Sequence, residues 1–374
     1  MRGKDLLARR ATSNLAAVKM DLAAASADDD ADRVKLLENL LASDGQILLY
    51  RPQLQHYALL LGDIERAEHV AVVVPGVGDG TNLSDDWIPD ARNLYEAAED
   101  TAVVLWKGYD NPVDVLAAAA GAIECNEDLM TAANELTAFV DSLSLDPSQT
   151  LTVVAHSFGS IVVGAALAEA GLHVTDVVVA GSPGMTVDAL RQLHVRQSHF
   201  FSEQAPGDAV AELGVFGAAP ASPTFGGTRM STNATDHPQV LAHSSYFEPG
   251  SEALENMVDV VTGHYSRISP HRPALPEIAG GLVAWLLRMP AAPLCLAGRH
   301  YRGPGFRILV NWCRLVDLSA CETGNLVCEV LDEGERALLW AAHRVGAIPD
   351  VHFEPAYDPD FGSSDDASAG DPRT

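Results

Sequence analysis

The chain has 374 residues, which suits one large domain with additions, and an apolar fraction of 47% supplies a sizeable core. Its formal charge of −27 argues against nucleic acid and anionic membrane surfaces as principal partners and is read as solubility. The opening MRGKDLLARRATSNLAAVKMDLAAAS carries charges throughout and lacks the apolar stretch of a secretion signal, so a cytoplasmic location is expected.

Residues 1–45 read as one or two amphipathic helices broken at Asp28-Asp29-Asp30. Residues 46–62 suggest two strands joined near Arg51-Pro52. From residue 68 apolar runs alternate with helical stretches. The runs are His69–Val74, Ala102–Trp106, Leu151–Ala155, Asp176–Ala180 and the neighbourhood of His199–Phe201. The helical stretches fall at about 87–98, 113–144, 160–170 and 185–193. Strands that are apolar on both faces and separated by helices predict an α/β fold, a mostly parallel sheet covered by helices on both sides.

Beyond residue 250 the alternation fades. Helices are expected near 251–262, 276–288 and 333–345, short strands within 304–330, and a disordered acidic tail from Glu354. The apolar stretch from Leu275 to Leu296 is interrupted by Glu277, Arg288 and Pro290. Its clean part, Ile278–Leu287, is too short to span a bilayer and reads as a buried or interface helix. Four of the five cysteines lie between Cys295 and Cys328 with no C-x-x-C pair, which favours reduced thiols over a zinc site or disulfides. The division is a helical segment 1–45, an α/β domain 46–265, a helical or mixed extension 266–353 and a tail 354–374.

The chemistry concentrates at LTVVAHSFGS, residues 151–160. A β-branched run enters His156-Ser157-Phe158-Gly159 and a small-residue helix follows, the setting of a nucleophile elbow. The elbow needs small residues two before and two after the serine. Here they are Ala155 and Gly159, so the pattern is A-x-S-x-G.

A serine hydroxyl needs a base, and the base needs an orienting acid; in this setting the order is Ser, acid, His. Asp208, beyond a strand end and after Pro206-Gly207, is the preferred acid, with Asp236 and Glu203 in reserve. Asp208 also precedes a helix-like AVAEL and could serve as its N-cap. His243, on a loop-like stretch, is the preferred base; His237 is its main rival and His264 the third choice.

Two N–H groups must face the developing oxyanion, and those of Phe158 and Val77 are expected to do so. Val77 lies in the glycine-rich loop Pro75–Gly80, which lacks the lysine and spacing of a nucleotide-binding loop. Gly76, Tyr109, Asp110 and Met185 end neighbouring strands and are expected to border the substrate pocket.

The motifs VVVPGVG, VVLWKGYDNP, VVAHSFGS, VVVAGSPG, APGDAV and AHSSYF, in this order, resemble an actinobacterial family of α/β-hydrolases long catalogued as a domain of unknown function. The similarity covers about residues 45–260 and extends, more loosely, to cutinase-like esterases. It implies an α/β-hydrolase fold and a serine hydrolase with Ser157 as nucleophile, Asp208 as acid and His243 as base. Ala155 departs from the family's usual glycine. The expected reaction is hydrolysis of a carboxylic ester, an acyl lipid or small acylated metabolite, with no metal or organic cofactor. Acyl transfer through the same triad, a lipid-surface enzyme using the apolar 278–287 helix as a lid, and a non-catalytic binding protein on the same fold are the competing readings.

Overall fold

The computed structural model describes residues 3–76, 87–110, 126–206, 208–212, 216–222, 225–234, 236–240 and 243–271. The expected extension beyond residue 271, the tail, the cysteines, the apolar 278–287 stretch, Val77 and the first part of the 113–144 helix lie outside the described residues.

Two helices open the chain, α1 (Gly3–Ala27) and α2 (Ala31–Ala42). The acidic cluster makes the break. Asp29 adopts a positive φ of 56°, and the Asp30 side chain caps α2 by accepting from Arg33 N–H. Asp21 of α1 then takes hydrogen bonds from both Arg33 and Tyr50 and ties the helix pair to the sheet.

Among the described residues eight strands form one sheet: β1 (Gln46–Arg51), β2 (His56–Leu61), β3 (His69–Val74), β4 (Thr101–Lys107), β5 (Thr150–His156), β6 (Asp176–Ala180), β7 (Phe200–Glu203) and β8 (Thr228–Met230). Their order is β1-β2-β4-β3-β5-β6-β7-β8. β1 and β2 run antiparallel to their neighbours, and from β4 to β8 every pairing is parallel. The runs of consecutive Val, Ala and Leu are buried on both faces, as in β3, where Val70 to Val74 are all fully buried.

Helices α3 (Trp87–Ala97), α4 (Asn126–Ser142), α5 (Gly159–Ala168), the single turn α6 (Ala209–Glu212) and α7 (Glu252–Val261) complete the described α-helices. The core forms two layers. One holds Ala133, Leu136, Val162 and Val163 of α4 and α5; the other holds Leu94, Met257 and Val260 of α3 and α7.

Both margins of the sheet are occupied. A bulge between Ile47 and Leu49 interrupts β1, and Asn14 of α1 donates to the Ile47 carbonyl at 2.9 Å. At the other margin Met230 bridges Pro270 in antiparallel fashion, with Ser231 N–H donating to Ser269 O at 2.8 Å.

The helix expected at 185–193 is a correction. Only Leu190–Gln192 forms a short 3₁₀ turn. The main chain there is bonded to a distant segment instead: Thr186 N–H donates to Phe216 O at 2.6 Å, Ala218 N–H to Val187 O at 3.1 Å and Leu190 N–H to Phe225 O at 2.8 Å. Tertiary pairing overrides local propensity.

Candidate active site

The chain leaves β3 on one side to form β4 and returns on the other as β5. Ligands of open α/β sheets bind beyond the strands' carboxyl ends at such a reversal. Ser157 sits there, at the tip of β5, with φ at +52°, a left-handed conformation unusual for a side-chain-bearing residue.

Its surroundings explain why small residues flank it. A Cβ on Gly159 would stand 2.3 Å from Val74 O and 2.4 Å from Pro75 O, so α5 could not start so close to β3 with any larger residue. Ser160 Oγ donates to Ser157 O at 2.6 Å and meets Ser182 Oγ at 2.7 Å, bracing the turn from below. Ala155, fully buried, pairs with Val74 on one side and Val179 on the other.

Three elements far apart in sequence meet at this turn. His243 Nε2 lies 2.8 Å from Ser157 Oγ, and His243 Nδ1 lies 2.8 and 2.9 Å from the two oxygens of Asp208. Neutral imidazole has one donor and one acceptor, so a proton on Nδ1, held by the carboxylate, leaves Nε2 able to accept from the serine.

Asp208 Oδ1 also accepts from the N–H groups of Val210 and Ala211, each at 3.1 Å. The same carboxylate thus caps α6 and orients the histidine, and the two sequence readings of Asp208 coexist. Burial alone would raise its pKa. The hydrogen bonds from His243, Tyr246 and Ala211 N–H outweigh that and hold the carboxyl below the usual range.

Sequence reasoning missed two residues. Tyr246 donates to Asp208 Oδ2 at 2.6 Å while accepting from Ala205 N–H at 2.9 Å. Burial, then the Asp208 charge, pushes its phenol pKa well up, so it remains a donor. His156 donates from Nε2 to the His243 main-chain carbonyl at 2.7 Å. Both stand within three residues of a named site residue, inside motifs already quoted; that proximity was the available signal. Gly181, with φ at +61°, closes the floor, since a Cβ there would lie 3.0 Å from Asp208 Oδ2, His243 Cε1 and Tyr246.

The reserve residues lie elsewhere. His237 is bonded to Asp236 at 2.9 Å and Glu255 at 3.0 Å at the surface, and His264 to Thr262 at 2.8 Å. Glu203 is buried with neither carboxyl oxygen hydrogen-bonded among the described residues.

The residues expected at the pocket divide as well. Gly76 is against the nucleophile: a Cβ there would be 2.7 Å from Ser157 Cβ. Tyr109 stacks on Phe158 at 5.9 Å, and its hydroxyl bonds Pro75 O. Phe158 in turn meets Phe216 edge-on at 6.0 Å, giving one aromatic side to the site. Asp110 instead accepts from His56 at 2.9 Å with its carboxylate largely in solvent. Met185 is fully buried with its backbone against Gly164 of α5, so it packs in the core and offers no pocket surface.

Residues 52–218 match a family model described as alpha/beta hydrolase. An uncharacterized protein of Mycobacterium tuberculosis is 27% identical over 300 residues, 66% of this chain and 44% of its own length. An uncharacterized protein of Mycobacterium bovis is 31% identical over 226 residues, 55% of this chain and 84% of its own length. The chain therefore spans less than half of the first of these relatives. Among solved structures, a predicted CIB-like hydrolase from Thermoplasma acidophilum is similar with a TM-score of 0.37 at 12% identity, covering 59% of this chain and 98% of that one. Thermogutta terrifontis esterase 2 is similar with a TM-score of 0.35 at 11% identity, covering 61% and 96%. Among the described residues no helix is long and apolar enough to cross a membrane.

Proposed function

The chain belongs to this alpha/beta hydrolase family, and from that premise we propose that it is a serine hydrolase cleaving a carboxylic ester of a small or lipid-like molecule. The observation that carries the reading is the continuous relay from Ser157 Oγ through His243 to Asp208, each step at 2.8 Å.

Ser157 Oγ attacks the ester carbonyl while His243 Nε2 takes its proton. Asp208 holds the imidazole tautomer and stabilises the imidazolium. The developing oxyanion is met by the N–H of Phe158, at the amino end of α5 where main-chain donors have no partner within the helix; Val77, the second donor expected from the sequence, lies outside the described residues. His243 then returns the proton to the leaving alcohol, and water activated by the same histidine releases the acyl group. Apolar contact with Phe158, Phe216 and Tyr109 favours an apolar acyl or alcohol part.

Hydrolysis of p-nitrophenyl esters from acetate to palmitate, with fluorophosphonate labelling, tests this in wild type and Ser157→Ala. The expected result is wild-type turnover and labelling, with both lost in the variant and turnover down by at least ~10⁴-fold. A wild type that neither labels nor turns over would sink the proposal.

A further inference from the structure

We propose that His156, the residue immediately before the nucleophile, is a positioning residue for the base: its ring clamps the main chain of His243 and so fixes where that imidazole stands. The proposal rests on the serine-hydrolase reading above and assigns a part to a residue that the relay itself does not use.

His243 lies on a turn rather than in a strand or helix, so among the described residues no ladder or helical bond fixes its main chain. The bond from His156 Nε2 to the His243 carbonyl, at 2.7 Å, supplies an anchor at the base itself. A carbonyl can only accept, so His156 must be the Nε2–H tautomer and Nδ1 must carry the lone pair. Nδ1 is buried with no partner among the described residues, and a Cβ on Gly76 would stand 3.2 Å from it.

The ring is hemmed in. Its centroid lies 5.1 Å from Trp87, 4.8 Å from His243 and 5.8 Å from Tyr246, and the residue is 1% exposed. Rotating the ring over would break the clamp and bring a polar edge against aromatic faces.

The choice of a histidine follows from what happens next to it. During the reaction His243 becomes a cation with its ring 4.8 Å from His156. A lysine or arginine could bond the same carbonyl but would repel that cation. Burial first, then His243, holds the pKa of His156 down at about 3, so it remains a neutral donor while its neighbour takes and returns a proton.

The test compares His156→Gln, His156→Asn and His156→Phe with wild type on p-nitrophenyl butyrate, with circular dichroism to normalise for folded protein. Glutamine carries an N–H donor about as far along its side chain as Nε2; asparagine falls short; phenylalanine keeps the ring without the donor. Misplacing a reacting group by an ångström costs about 100-fold. Phe and Asn should therefore lose on the order of 100-fold in kcat with KM within about twofold, while Gln stays within about tenfold of wild type. Equal kcat for Gln and Asn, or a Phe variant as fast as wild type, overturns the clamp. If the Phe variant does not fold, the Gln and Asn pair decides alone. A wild type inert to both butyrate ester and fluorophosphonate removes the serine-hydrolase reading and this proposal together, whereas an active wild type with an unimpaired Phe variant removes this proposal only.

Discussion

Among the described residues, two groups of tyrosine, aspartate and histidine stand at opposite ends of the same strands. At the carboxyl ends Asp208 binds His243 at 2.8 Å and accepts from Tyr246 at 2.6 Å. At the amino ends Asp176 binds His199 at 2.9 Å and accepts from Tyr265 at 2.9 Å. Side-chain geometry alone hardly separates them. Two things do. Among the described residues no hydroxyl bonds the far nitrogen of His199, while His243 has Ser157 there. And Asp208 takes two further main-chain N–H donors; with the bond from His243 leading, its hydrogen bonds outweigh burial and hold its carboxyl below the usual range, while burial drives that of Asp176 above it. A buried aspartate orienting a histidine is thus a structural commonplace. The strained turn that delivers a serine to it is what makes one of the two a candidate for catalysis.

Removing each aspartate in turn should separate the two groups most strongly. Asp208→Asn should lower kcat by about 10⁴-fold through the wrong histidine tautomer. Asp176 stands at the other end of β6, roughly 13 Å away at the usual rise per residue, so Asp176→Asn should leave kcat within about twofold. Steady-state kinetics on the ester found optimal for wild type checks both, and comparable losses in the two variants would erase the distinction.

The tyrosines give a smaller contrast. A hydrogen bond to a charged group contributes about 1.5–3 kcal/mol, so Tyr246→Phe should reduce kcat by roughly ten- to a hundredfold. Tyr265→Phe should instead lower stability by about 1 kcal/mol, read from urea melts, with kcat unchanged.

Proton linkage is read in stability rather than turnover and separates the aspartates by sign. Asp208, with its pKa depressed on folding, contributes stability that is present above its ordinary 3.8 and lost as pH falls through the folded value. Asp176, raised by burial, contributes the opposite way: its share is full below 3.8 and lost as pH rises through the folded value. Glu203 belongs with Asp176. It is 1% exposed, and burial together with the charge of Glu252 raises its pKa well above 4.5. Urea melts from pH 4.5 upward should show stability falling by up to ~1.4 kcal/mol per pH unit from this group, a slope that Glu203→Gln abolishes. An unchanged slope in the variant would mean that Glu203 is not the source.

Much of the fold could be read from the sequence because its strands are continuous apolar runs. β3, β4, β5 and β6 lie within a residue or two of the expected spans. The three-residue β8 was invisible, since Thr228-Arg229-Met230 has no pattern of its own and owes its pairing to β7. The turn at Ser157 was legible from the need for small neighbours, and the structure brings Asp208 and His243 to it. The separation of His243 from His237 needed the fold, because both are loop histidines six residues apart and only packing sends one to Ser157 and the other to Asp236 and Glu255. Met185 went astray because it stands five residues beyond the end of β6, where the close approach of its backbone to Gly164 fixes it in the core.

The closed margins of the sheet bear on how the molecule keeps apart from its own copies. An open strand edge is a template on which another chain can add and from which fibres can grow. Here the bulge and Asn14 blunt the first edge, and at the last edge β8 is met by residues 269–271: Ser231 N–H donates to Ser269 O at 2.8 Å and His271 N–H to Arg229 O at 2.9 Å, with Pro270, which has no N–H, between them. Among the described residues, both margins therefore offer fewer free main-chain groups to a strand of another molecule.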